Sequence, residues 1–169
     1  MSPLVSIIMG STSDLKVMSK AADYLDRQGI PFEMNALSAH RTPKAVEQFA
    51  RQATGRGVKV IIAGAGMAAA LPGVIAASTS LPVIGVPISG GVLDGMDAAL
   101  SILQMPPGIP VATVAIDGAL NAAILATQIL ALADENIASK VDAYKASLCL
   151  KIEKANAELA DIRYTHKTN

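Results

Sequence analysis

The chain has 169 residues, 51% of them hydrophobic and 17% charged, which is the length of one ordinary domain and ample material for a buried core. Fourteen Lys and Arg balance fourteen Asp and Glu, and aromatics are 3% with no Trp; a nucleic-acid binder, which needs basic surface and stacking platforms, is not expected. The single cysteine, Cys149, cannot pair within the chain and no Cys/His cluster has metal-ligand spacing, so neither a disulfide framework nor a metal site is expected, and the reading is a cytoplasmic protein in a reducing compartment.

Taken in order, the chain alternates two kinds of segment. Residues 4–9 are an apolar run with no basic stretch before it, leading straight into Gly10; a signal peptide is therefore not expected. Similar runs rich in Val and Ile occupy residues 32–37, 58–63, 82–86 and 109–115. Continuous rather than alternating hydrophobicity is the mark of parallel strands covered on both faces. Helical patterns fill the gaps. Residues 13–28 place Leu15, Met18, Ala22 and Leu25 on one face and stop at Gly29, and residues 43–54 begin with Thr42 as N-cap and Pro43 at the first helical position. Helices over 67–78, 93–103 and 119–132 follow, and residues 134–164 read as one or two longer, more charged helices.

This alternation predicts an α/β fold: a doubly wound parallel sheet in three αβα layers, flavodoxin-like, within a single domain over residues 1–169. Its core spans 3–133, with a C-terminal helical arm over 134–164. Charge adds a second expectation. Between Val60 and Ala133 the only charged residues are Asp94, Asp97 and Asp117. A membrane span is one reading of so long an uncharged stretch. Pro72, Pro82 and Pro87 break it, and alanine rather than leucine dominates, so no membrane association is expected. A monomer exposes too much surface for so few charges; burial between identical subunits is the better reading.

In a sheet of order 2-1-3-4-5, ligands bind beyond the carboxyl ends of the strands, where the order reverses. Three unusual turns fall there. The first is Gly10-Ser-Thr-Ser-Asp14. Glycine permits a tight turn, and the hydroxyls of Ser11 and Ser13 suit an anion at a helix start or, equally, a helix cap. Asp14 would repel phosphate but can accept hydrogen bonds from sugar hydroxyls. The second is Ser38-Ala-His-Arg-Thr-Pro43. There the Arg41 fork can hold a phosphate, and His40 can move protons near neutral pH. The plain alternative is an exposed loop pair without a role. His166, the other histidine, lies in the polar tail. The third, Gly64-Ala-Gly66-Met-Ala-Ala-Ala-Leu-Pro-Gly73, matches G-x-G-x-x-A formally, but it follows the third strand and has no acid at the spacing that would hold a ribose. Its small residues suit a flat ring lying against backbone, with Met67 as a wall or as core filler.

Together with Leu71-Pro-Gly73, Pro82-Val-Ile-Gly-Val-Pro87 and Ser101-Ile-x-Gln-Met-Pro-x-Gly-Ile-Pro-Val111, these motifs resemble, in order, the PurE family, the N5-carboxyaminoimidazole ribonucleotide mutases of purine biosynthesis. The likeness runs from about Val5 to Leu132. It implies a flavodoxin-like subunit, a homo-octamer, and work without a cofactor (no metal, ATP or biotin) on a ribonucleotide and carbon dioxide. By matching motifs, His40 would be the acid/base, Ser11, Asp14 and Arg41 would bind the ribonucleotide with Ser13 nearby, and Gly10, Ser38, Ala39, Gly64, Gly66, Met67 and Leu71 would complete the substrate site. The chain departs from the family at the third motif, usually Gly-Ala-Gly-Gly-Ala-Ala-His-Leu-Pro-Gly, where it has Met67 for a glycine and Ala70 for the histidine. The alternatives are a carboxylase using free carbon dioxide on the unmodified nucleotide, a flavin- or nucleotide-binding module on the same fold, and a structural oligomer without activity. Arg41-Thr-Pro43 follows the mutases rather than the carboxylases, whose second motif tends to read Ser-Ala-His-Lys-Thr.

Overall fold

The computed structural model describes residues 2–169. Strands β1 (Val5–Met9), β2 (Phe32–Ala36), β3 (Val60–Gly66), β4 (Val83–Ile88) and β5 (Ala112–Thr113) form one all-parallel sheet in the order β2-β1-β3-β4-β5. The register sets Val5 between Phe32 and Val60, and Ile62 opposite Ile84. Helices α1 (Leu15–Arg27), α2 (Pro43–Gln52), α3 (Leu71–Ala76), α4 (Met96–Leu103), α5 (Ala119–Ala131) and α6 (Glu135–Ala160) complete the element order.

The side-chain period of two sorts the strands into two cores. Val5, Ile7, Val60, Ile62, Ile84 and Val86 pack with α1 and α5, while Ile8, Ile61, Ala63 and Val83 pack with α2, α3 and α4 on the other face. Both faces of β1, β3 and β4 are thus covered, which is why these strands read as unbroken apolar runs. Ser6 is the polar exception; its hydroxyl donates to Glu33 at 2.9 Å, and Glu33 is held in turn by Arg56 at 2.8 Å.

The fold is the α/β flavodoxin-like one expected, with differences at element ends. β3 and β4 run two or three residues further toward their carboxyl ends than the expected 58–63 and 82–86. β5 shrinks from the expected 109–115 to Ala112–Thr113, because Pro110 supplies no ladder donor and the strand lies at the sheet edge. The helix expected over 67–78 begins only at Leu71, after a turn in which Met67 takes φ 55°. Residues 135–160 form one helix rather than two, capped by Asp134, whose carboxylate accepts from the amides of Asn136 and Ile137. Its first turns bury Ile137 and Val141, and Tyr144 meets Tyr24 edge-on at 5.1 Å. Beyond them, Leu148, Ile152, Leu159 and Ile162 are exposed. Among the described residues no helix is long and apolar enough to cross a membrane.

Candidate functional site

An open cleft of about 410 Å3 lies beyond the carboxyl ends of β1 to β4, the place where the strand order of such a sheet reverses. Its floor is bare because the sequence puts glycine and alanine at the strand ends. A Cβ on Gly66 would approach the carbonyl oxygen of Ile88 to 3.3 Å.

The turn after β1 brings Gly10, Ser11, Ser13 and Asp14 to the cleft. Ser11 is the N-cap of a single 3-10 turn over Thr12–Asp14, its hydroxyl accepting from the Ser13 amide at 3.1 Å. The two serine hydroxyls lie 2.6 Å apart, and Ser13 donates to the Asp14 carboxylate at 3.1 Å. Capping and cleft lining therefore coexist in the same side chains.

The turn after β2 contributes Ser38, Ala39, His40 and Arg41. Thr42 was expected to cap α2; instead its hydroxyl turns back onto the carbonyl of Ser38 at 3.0 Å and accepts from the Ser38 amide at 3.0 Å. Ser38 accepts in turn from the Arg41 amide at 3.2 Å. This small knot closes the loop on itself and leaves His40 and Arg41 exposed on the rim. The Arg41 guanidinium donates to the Gly10 carbonyl at 3.3 Å, tying the second turn to the first.

The third turn supplies Gly66, Met67 and Leu71, with Ala65, Ala68, Ala69 and Ala70 between and beside them. Met67 is 65% exposed and lies in the left-handed region, uncommon for a long side chain; it is a wall of the cleft, not core filler. Gly64 does not line the cleft. It faces α1, where an added Cβ would sit 2.5 Å from the Met18 sulfur, so the helix–sheet approach explains this glycine.

A fourth segment, Ile88 with residues 89–91, closes the side next to β4. It was not among the expected site residues. The signal was present as Ser89-Gly90-Gly91 directly after the fourth apolar run, next to β3 in the expected strand order.

The cleft thus presents one carboxylate, one guanidinium and one imidazole around a wall of small apolar residues. Such a set can hold a phosphate by the guanidinium and hydroxyls, a sugar by the carboxylate, and a flat ring within reach of a proton carrier. Among the described residues no group of three His, Cys, Asp or Glu could hold a metal ion.

Comparison with known proteins points the same way. The family model described as AIR carboxylase matches residues 4–150. The chain is 53% identical over 160 residues to the N5-carboxyaminoimidazole ribonucleotide mutase of Pyrococcus horikoshii, covering 95% of this chain and 90% of that protein. It is 51% identical over 163 residues to the phosphoribosylaminoimidazole carboxylase of Candida albicans, covering 96% of this chain but only 29% of that longer protein. The crystal structure of Treponema denticola PurE superposes with a TM-score of 0.84 at 34% identity, covering 93% of this chain and 98% of that one. With the family model matched over most of its length, the chain belongs to the AIR carboxylase family.

Proposed function

We propose that the protein is an N5-carboxyaminoimidazole ribonucleotide mutase of purine biosynthesis, an isomerase that moves a carboxyl group from the exocyclic nitrogen N5 to ring carbon C4 of 5-aminoimidazole ribonucleotide. The observation that carries this reading is the lashing of the His40–Arg41 turn onto the Ser11–Asp14 turn across one cleft, through Arg41 and the Gly10 carbonyl at 3.3 Å, in a chain half-identical to proteins of that name.

In this reading Arg41, Ser11 and Ser13 hold the phosphate, Asp14 accepts from ribose hydroxyls, and the ring lies along the third turn. Breaking the bond from N5 to its carboxylate carbon releases carbon dioxide and leaves an electron-rich aminoimidazole, N5 taking up one proton. C4 then attacks the carbon dioxide, forming the new carbon–carbon bond. The adduct carries both hydrogen and carboxylate at C4, and His40 removes that proton to restore aromaticity. One proton is gained at N5 and one lost at C4, so the exchange closes without an added reagent. Gly, Ala, Met67 and Leu71 offer the released carbon dioxide a small-residue, apolar wall beside the ring.

The rival within the family, direct carboxylation of the unmodified nucleotide, draws support from Met67 and Ala70, which line the cleft where the usual motif has glycine and histidine. A turnover assay separates the two. Under bicarbonate depletion the N5-carboxylated nucleotide is converted; turnover only of aminoimidazole ribonucleotide supplied with bicarbonate overturns the mutase reading.

We also read the subunit as part of a homo-oligomer in the cytoplasm, the octamer of the resemblance. Leu93, Met96, Leu100 and Leu103 form an exposed stripe at helical spacing along and just before α4, beside a fully exposed Val92, and this apolar stripe supports burial against a second copy. Light scattering after size exclusion tests it; a monomer at micromolar concentration counts against it. The exposed, unpaired Cys149 suits a reducing compartment.

A further inference from the structure

The charge-poor middle of the chain contains three aspartates, and one of them is tied to the cleft. Asp117 sits in the turn between β5 and α5 at φ 57°. Its amide donates to the carbonyl of Pro87 at 2.8 Å, continuing the β4–β5 pairing past the end of the ladder. Its carboxylate then grips Ser89 twice. One oxygen accepts from the Ser89 amide at 2.9 Å and the other from the Ser89 hydroxyl at 2.6 Å.

Ser89 opens the segment that closes the β4 side of the cleft. The two residues after it are glycines at φ 143° and 68°, with little intrinsic preference to hold a path. The side-chain hydrogen bonds of residues 89–91 are the two between Ser89 and Asp117, and Gly91 enters the turn over residues 91–95. The same segment backs the exposed Met67; a Cβ on Gly91 would lie 3.7 Å from the Met67 Cγ. The wall that continues from the end of β4 is thus anchored by one remote carboxylate, and the Met67 side chain leans on that wall.

We propose that Asp117 is a positioning residue of the proposed reaction: by clamping the Ser89 amide and hydroxyl it fixes residues 89–91, and with them the Met67 wall, so that the cleft holds the nucleotide tightly and retains carbon dioxide between the two bond changes. This inference rests on the mutase reading. It assigns Asp117 no contact with substrate.

The test compares Asp117→Gly, Ser89→Ala and Asp117→Asn with the unchanged protein. Glycine accepts the left-handed backbone without strain and removes both carboxylate bonds. Ser89→Ala removes only the hydroxyl bond and stands in if the glycine variant fails to fold. Asparagine tolerates positive φ, and its oxygen can accept from the Ser89 amide while its nitrogen donates to the Ser89 hydroxyl. The readouts are KM and kcat for the N5-carboxylated nucleotide, and the fraction of each turnover lost as free aminoimidazole ribonucleotide instead of isomerised product. A residue that only stabilises the fold would leave that fraction unchanged.

The glycine variant is expected to raise KM by about tenfold and to release several-fold more free aminoimidazole ribonucleotide per turnover, with asparagine recovering most of both. Ser89→Ala is expected to fall between. KM and partition equal to the unchanged protein in a folded Asp117→Gly, or in Ser89→Ala if the glycine variant does not fold, overturn the clamp and leave the mutase reading standing. Absence of isomerisation in the unchanged protein overturns the mutase reading, and the clamp with it.

Discussion

The two sides of the cleft are secured by opposite means. Residues 38–42 are knotted by their own serine and threonine hydroxyls within a span of four positions, so the rim that carries His40 and Arg41 is specified locally. Residues 89–91 carry two glycines and depend on Asp117, 28 positions further on. A locally knotted loop needs only its own few residues to be right, whereas the β4 side is in place only after β5 and the turn to α5 have docked. The side bearing His40 and Arg41 closes its own backbone and reaches the first turn only through the Arg41 side chain.

The difference can be probed by substitutions that separate chemistry, contact and scaffold. The largest effect is expected for His40→Asn, which leaves the knot intact because the His40 side chain takes no part in it; kcat should fall by about 10²–10⁴-fold with nucleotide binding retained. Isothermal titration with aminoimidazole ribonucleotide beside the turnover assay checks both halves, and near-normal kcat would reassign the base. Next comes Arg41→Lys. The lysine keeps the charge but loses the fork and the bond to the Gly10 carbonyl, so KM should rise by about tenfold with kcat changed less. A kcat loss larger than the KM change would show that the lash between the first two turns serves the chemistry itself.

Smaller still is Thr42→Val, which removes both threonine bonds of the knot. Because the loop is exposed and water replaces part of what is lost, a stability decrease of about 1 kcal/mol is expected by chemical denaturation. No loss of activity in that variant would mean that the knot is redundant and the contrast with the β4 side false.

The smallest effect concerns the core away from either rim and serves as a baseline. Burial raises the Tyr24 phenol above its ordinary 10.0; Thr127 beside it offsets part of this and Tyr144 adds to it. The Tyr24 hydroxyl reaches no partner with hydrogen-bond geometry, and Thr127 donates its own hydroxyl to the Ala123 carbonyl. The folded state therefore holds this proton more tightly than the unfolded chain. The resulting stabilisation is complete below pH 10.0 and disappears as pH climbs through the folded value above it. Tyr24→Phe should change stability at neutral pH by only a few tenths of a kcal/mol and flatten the alkaline fall, as read from melting temperature against pH.

How far the sequence foretold this arrangement varied with the kind of contact. β1, β3 and β4 were legible because both their faces are buried, and the meeting of three turns followed from strand order alone. β5 was overextended because Val111 and Val114 flank a pairing only two residues long. The helix start at Leu71 is not legible because a run of alanines has the propensity to be helical, while the chain takes a left-handed turn at Met67 and Pro72 stands in the first turn of α3. Gly64 was assigned to the ligand when its missing side chain makes room for Met18. Residues 89–91 are signalled by their glycines, but their anchor is tertiary and illegible: nothing local to Asp117 announces Ser89.

All the walls of the cleft come from the stretch ending at Gly91. On the ribosome, where a chain emerges from its amino end, every residue that lines the cleft is synthesised before the edge strand and the two C-terminal helices. The cleft lining is written first and its bracing last, so a nascent chain halted near the middle already carries the lining without Asp117 and the frame that steadies it.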